Sequence, residues 1–184
     1  MLDAVLELFE GGSIEPSVDE VAARAGVSNR SIYRYFEDRD GLVRAAVAHA
    51  LNRYGPEMLL EQSGVGSFEE RVDHFVDHRL HVYSAMAPIT RAAKVAAFNE
   101  PTIAHQFEIG RLNMRQQFLD HFAAELSPLA PGMQTRVVTA AELPFQFESF
   151  EFLRRSTNGM FDEMRTILVD LLTMCLGRFR ASVA

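Results

Sequence analysis

The sequence predicts an all-α protein, and three observations predict it. Strand signals, meaning short runs that alternate apolar and polar between turns, are nearly absent from the 184 residues. Glycine and proline punctuate the chain at Gly11-Gly12, Pro16, Gly26, Gly41, Gly55-Pro56, Gly64 to Gly66, Pro88, Pro101, Pro128 to Gly132 and Gly159. The stretches between those breaks place apolar residues three and four apart, so eight or nine helices are expected.

The first helix is expected from Leu2 to Phe9, with Leu2, Val5, Leu6 and Phe9 on one face and a stop at Gly11-Gly12. Ser17 caps a second, short helix, and Glu20 three residues on completes a capping box. That helix turns Val21, Ala22 and Ala25 inward and stops at Gly26. Ser28 caps a third through Phe36. Asp38 or Asp40 opens a fourth that reaches Tyr54. A glycine-rich loop at Ser63 to Ser67 precedes longer helices. The domain boundary is therefore placed at residue 54, giving domains 1–53 and 54–184.

The stretch from Val18 to Phe36 carries the functional signal. Two short helices that cross steeply need a small residue where their backbones meet, and Ala22 sits there. The turn between them needs a residue tolerant of positive φ, which Gly26 supplies. Val21, Val27 and Ile32 fill the space between the helices. This is a helix-turn-helix pattern. Ile32 and Phe36 face inward, which leaves Arg30, Tyr33 and Arg34 outward and Asn29 at the leading turn. A recognition helix reads base edges with its N-terminal residues, so Asn29 and Arg30 are the expected base contacts, Arg favouring guanine and Asn adenine. Ser17, Tyr33, Tyr35 and Arg39 are placed for phosphates, which set register without reading sequence.

Charge tempers this reading. The whole chain carries −7, an unusual balance for a nucleic-acid binder. Residues 1–53 hold six arginines against nine acids, a net −3. From Val21 to Phe36, however, there are three arginines and no acid. Local charge decides which surface docks.

The segments Leu2 to Phe9, Ser17 to Ser28, Ile32-Tyr33-Arg34-Tyr35-Phe36 and Gly41-Leu42 resemble the N-terminal domain of the tetracycline-repressor (TetR) family. The resemblance covers roughly the first 50 residues. It implies a three-helix DNA-binding domain, an Ω-shaped homodimer, a double-stranded operator with inverted half-sites, and a C-terminal helical domain that binds a small effector and dimerises. It also places Ser17, Asn29, Arg30, Ser31, Tyr33, Tyr35 and Arg39 at the family's DNA-facing positions. Family members carry several residues, often basic, before the first helix, whereas this chain opens inside it. Phosphate contacts made there are expected to be lost or to lie before the numbered sequence.

The remaining residues are read on physics alone. The last helix, Met160 to Phe179, carries Phe161, Met164, Leu168, Leu171 and Cys175 in a stripe that Ile167, Leu172 and Leu176 widen. The helix before it, Met133 to Leu153, bears Phe145, Phe147, Phe150 and Phe152 on different sides, with a kink expected at Pro144. A four-helix interface between two subunits would bury them and would set two recognition helices ~34–36 Å apart, one DNA turn. Phe75, Met86, Phe98, Phe107, Met114 and Phe118, with Ile103, could line a cavity for a largely apolar effector, held by His105, Asn113 or Gln117.

Several functions are excluded by pattern. His74, His78 and His81 share one face, but Val72, Val76, Leu80 and Tyr83 define the opposite one, so the histidines are expected in solvent and no metal is assigned. Cys175 lies in an apolar stripe with no local base, which suits a buried thiol in a reducing compartment. No phosphate loop, dinucleotide fingerprint or nucleophile signature occurs, so neither an enzyme nor a cofactor is expected. No apolar run spans a membrane and no signal peptide is recognised, so a cytoplasmic protein is expected. The expectation is a dimeric repressor released from its operator by a small effector. The alternative is a small-molecule-binding protein on the same fold without DNA binding.

Overall fold

The computed structural model describes residues 1–182, and every regular element among them is helical. The helices are α1 (Leu2–Glu10), α2 (Val18–Ala25), α3 (Asn29–Tyr33), α4 (Arg39–Tyr54), α5 (Phe68–Ala96), α6 (Pro101–His121), α7 (Ala123–Leu126), α8 (Pro131–Glu142), α9 (Phe147–Ser156) and α10 (Phe161–Leu176). Short 3-10 turns occupy Pro56–Met58, Leu143–Phe145 and Gly177–Ser182. The expected second domain ends at residue 184, so its last two positions lie outside the described residues.

Two compact units emerge. The first joins Met1–Leu59 with Ala85–Arg111, and the second joins Leu60–Ser84 with the chain from Leu112 onward. The unit that holds α1 to α4 thus also takes in the end of α5 and the start of α6, which sequence reasoning had placed in the C-terminal domain. Packing explains the grouping. Val5, Leu6 and Phe9 of α1, Val21 and Ala22 of α2, Ile32 of α3 and Leu42, Ala46 and Ala50 of α4 form one apolar core with Ile89, Ala92, Ala93 and Ile103. Arg44 on α4 adds an ion pair to Glu100 at 2.5 Å.

Two breaks behave differently from their sequence signal. Pro88 was expected to punctuate, yet α5 runs through it. A proline inside a helix costs about 3 kcal/mol or more. Burial of a single isoleucine such as Ile89 returns roughly 1.5–3 kcal/mol, and Ala87, Ala92 and Ala93 are buried beside it. Pro144 does more than kink. It ends α8, and a 3-10 turn separates α8 from α9.

The second unit buries Phe75, Phe118, Phe122 and Phe145 against one another, with Phe75 at 5.0–5.5 Å from each of the other three ring centroids. Three of the four phenylalanines expected at a subunit interface, Phe145, Phe147 and Phe150, are buried within this single chain. Phe152 is 63% exposed. On α10 the buried stripe is Met164, Leu168, Leu172 and Leu176, every fourth residue. Phe161 is exposed, while Ile167, Leu171 and Cys175 are half-buried, so the thiol is less enclosed than expected.

Candidate nucleic-acid interface

The interface is assembled by local chemistry. Ser17 caps α2 through a reciprocal box: its hydroxyl accepts from the Glu20 backbone N–H at 3.2 Å, and its own backbone N–H donates to the Glu20 carboxylate at 2.7 Å. That backbone donation, with the Ser17 hydroxyl beside it, holds the Glu20 carboxyl below its ordinary range. Gly26 closes α2 with φ 66°. A Cβ there would meet nothing within 4 Å, so the left-handed backbone, rather than space, demands glycine. Val27 then returns its N–H to the Ala22 carbonyl at 3.0 Å. Ser28 caps α3 by accepting from the Ser31 N–H at 3.2 Å.

α3 is shorter than expected, ending at Tyr33 rather than Phe36. A turn continues it, with the Tyr35 and Phe36 N–H groups both donating to the Ile32 carbonyl. Ile32 is buried and Phe36 packs partly on the same core, which leaves the other side of this segment in solvent.

Every DNA-facing candidate can now be placed. Asn29 and Arg30 stand in the first turn of α3 and are exposed. Arg30 and Tyr33 make no side-chain hydrogen bond to any described residue, so both are free to reach outward. The others are engaged within the chain. Asn29 donates its amide to Asp19, Ser31 shares a hydroxyl contact with Ser28 at 3.0 Å, and Tyr35 accepts from Arg34 at 2.6 Å while the guanidinium lies over its ring. Ser17 serves the capping box. Arg39 pairs with Glu15 at 3.2 Å and with Asp40 at 3.3 Å. These ion pairs sit in solvent, where exchange of one anion for another costs little. Asp38 caps α4 by accepting from the Gly41 N–H at 2.7 Å, so the arginine is presented from a fixed helix start.

The effector candidates divide between the two units. Met86, Phe98, His105 and Phe107 belong to the first unit, while Phe75, Met114, Gln117 and Phe118 belong to the second. Phe98 is 90% exposed in the turn after α5, and His105 and Asn113 are exposed on α6, so these three are corrected to surface positions. Phe107 is half-buried beneath the Lys94 ammonium, 5.2 Å from its ring, and Met86 is buried. Phe75 and Phe118 are buried, with Met114 and Gln117 half-buried near them.

Sequence reasoning missed four charged or titratable residues in the second unit. Arg71, Arg79, His121 and Glu125 are all buried. Arg71 pairs with Glu125 and donates to the Gly66 carbonyl at 2.8 Å. His121 Nδ1 accepts from the Gly64 N–H at 3.1 Å, and Nε2 donates to the Arg71 carbonyl at 2.8 Å. Polar residues at helical spacing look like a solvent face, and only the partner helices reveal otherwise. Of the three histidines expected in solvent, His81 is exposed while His74 and His78 are half-buried, the His74 ring lying 5.6 Å from His121. Among the described residues no group of three side chains is arranged to hold a metal, and no helix is long and apolar enough to cross a membrane.

Comparison with known proteins bears on this geometry. Residues 1–46 match the family model described as bacterial regulatory proteins, tetR family. The HTH-type transcriptional regulator BetI of Escherichia coli O17:K52:H18 (strain UMN026 / ExPEC) is 26% identical over 132 residues, which cover 68% of this chain and 68% of that protein. Its namesake in Serratia proteamaculans (strain 568) is 27% identical over 146 residues, covering 74% and 70%. No solved structure matches significantly.

Proposed function

From the premise that the chain is a TetR-family regulator by its N-terminal domain, we propose that it acts as a homodimeric repressor released from a twofold operator by a small effector. The observation that carries this reading is α3 itself. Its first turn offers Arg30, exposed and unbonded, with Tyr33 one turn behind on a segment whose opposite side is buried in the core. In this reading Arg30 reads a base edge in the major groove, and Asn29 exchanges Asp19 for a second base. Tyr33, Tyr35, Ser17, Ser31 and Arg39 position the phosphate backbone.

A second copy of the chain supplies the second reading head. Phe152 and Met174, 63% and 65% exposed on α9 and α10, together with exposed Phe161, support an apolar face between subunits. The effector is taken by the second unit, around Phe75, Met114, Gln117 and Phe118. α5 runs from residues of the second unit into the first and α6 from the first into the second, and the end of α5 and the start of α6 share a core with α4. An effector that binds one setting of these helices better than another shifts the operator equilibrium by that difference in affinity.

The test starts from duplexes selected out of a randomised library, followed by anisotropy titration at several salt concentrations. A steep log–log salt slope and an inverted repeat are expected. Arg30→Ala should weaken the selected duplex by about 1–3 kcal/mol with an unchanged melting curve. An unaffected affinity removes the role given to Arg30. A flat salt slope favours the effector-binding protein without DNA, a reading that the net −3 of residues 1–53 supports.

A further inference from the structure

Among the described residues of the second unit two arginines are buried, and of these two Arg71 alone is paired with an anion. Arg71 is matched by the Glu125 carboxylate. Arg79, on the same helix α5, is 2% exposed, and no carboxylate of a described residue comes within 4.0 Å of it. Its Nη2 donates to the Met114 carbonyl and to Gln117 Oε1, both at 3.3 Å. Its guanidinium carbon lies 4.8 Å from the Phe75 ring centroid. Nη1 is buried with no hydrogen-bond partner. A cation withdrawn from water needs an anion or a full set of acceptors, and here one whole amino group has neither.

We propose that Arg79 is the anchor for a carboxylate-bearing effector, whose acid group takes Nη1 and whose apolar body lies against Phe75, Phe118 and Met114. The proposal deepens the effector reading above and rests on it. Other charges around the guanidinium do not fill the role. Glu142 is engaged by Arg115 in an ion pair. Tyr83 gives its hydroxyl to the Phe145 carbonyl at 2.5 Å, and burial pushes that phenol up to about 12, so it stays neutral and adds no negative charge. Burial also pulls the Arg79 guanidinium down to about 10, as expected of a cation whose counter-charge is missing. A monoanion fits this vacancy in charge, whereas a phosphate dianion would leave one negative charge buried without a match. The guanidinium fork suits a carboxylate, and apolar rings beside it suit an aryl or alkyl chain.

Calorimetry on the purified wild-type chain, without DNA, tests this with phenylacetate, 4-phenylbutanoate, octanoate and decanoate, each against its primary amide, and with octyl phosphate. At least one acid should bind, with its amide and octyl phosphate weaker by about tenfold or more. Arg79→Met should bring acid and amide to within about twofold of each other. It should melt at the same or a higher temperature, because a buried unpaired charge has been replaced by an apolar chain of similar length. Arg79→Lys should retain a reduced preference for the acid. Equal binding of acid and amide to the wild type, tighter binding of octyl phosphate, or no binding by any acid overturns the proposal. So does an acid preference that survives Arg79→Met. Should Arg79→Met fail to fold, the wild-type ratio and Arg79→Lys decide. A chain that binds the acid but no duplex would break the repressor reading alone. A chain that binds its duplex but no acid would break only this inference.

Discussion

The two units bury different things. The core of the first, from Ala4 to Ile103, is entirely apolar, and its charges stand outside in exposed pairs such as Arg24 with Glu7 and Arg39 with Glu15. The core of the second encloses Arg71, Arg79, His121 and Glu125 among phenylalanines. An apolar core is held by burial that any residue of the right shape can supply. A core with charges in it depends on each charge finding a stated partner, so one missing partner is conspicuous. Arg79 stands out for that reason, while no residue in the first core does.

The contrast can be broken most directly by deletion. Phe9→Ala in the first core should lower stability by about 3–5 kcal/mol in urea denaturation. No second deletion in that core should restore it. Arg71→Met should lose about 3–5 kcal/mol as well, by leaving Glu125 buried without its cation. Adding Glu125→Leu should return stability close to the wild type, because both charges have then gone. If the double variant is as weak as the single one, the second core is held by packing in the same manner as the first.

A smaller effect separates local from tertiary control. Ser17→Ala removes the hydroxyl that accepts from the Glu20 N–H, and the cap should be worth about 1 kcal/mol in thermal unfolding. Operator affinity should fall as well, since α2 carries the turn that aims α3. A loss of affinity with no loss of stability would leave the hydroxyl its phosphate contact and remove the cap's contribution.

The smallest expected effect is a pH slope confined to the second unit. Burial, aided by the nearby positive charge of Arg71 and Arg79, holds His121 below the ordinary imidazole value of 6.5, against a hydrogen bond to the Arg71 carbonyl that pulls the other way. The unfolded chain therefore takes up the proton more readily than the folded one, and stability rises with pH through this range. The contribution is complete above the unfolded value and is lost as pH falls below it toward the folded value. Denaturation midpoints measured between about pH 7.5 and about pH 5 should decline on the acid side. His121→Asn should flatten that decline, and an identical slope in the variant would place its origin in another group.

Legibility followed the range of the interactions. Ser17 with Glu20, the positive φ at Gly26 and the Ser28 cap join residues within a few positions, so their pattern is written consecutively and can be read without coordinates. The candidate DNA contacts were legible for the same reason, although the sequence did not reveal that Asn29, Tyr35 and Arg39 are already bonded within the chain. Pro88 and Pro144 show the limit. The two carry the same local signal, yet helix α5 continues through one and α8 stops at the other.

By itself, then, the order of residues determined the helical class, the turn at Gly26 and the outward face from Asn29 to Tyr33, since those depend on backbone geometry and short hydrogen bonds. Tertiary packing alone decided which helix ends join the first core, which of Phe145 to Phe152 are enclosed, and that Arg79 is buried with no counter-charge among the described residues. Those outcomes depend on residues 35 or more positions away, such as Met114 across from Arg79. A helical periodicity fixes which residues share a face, and it leaves open whether water or another helix will cover that face.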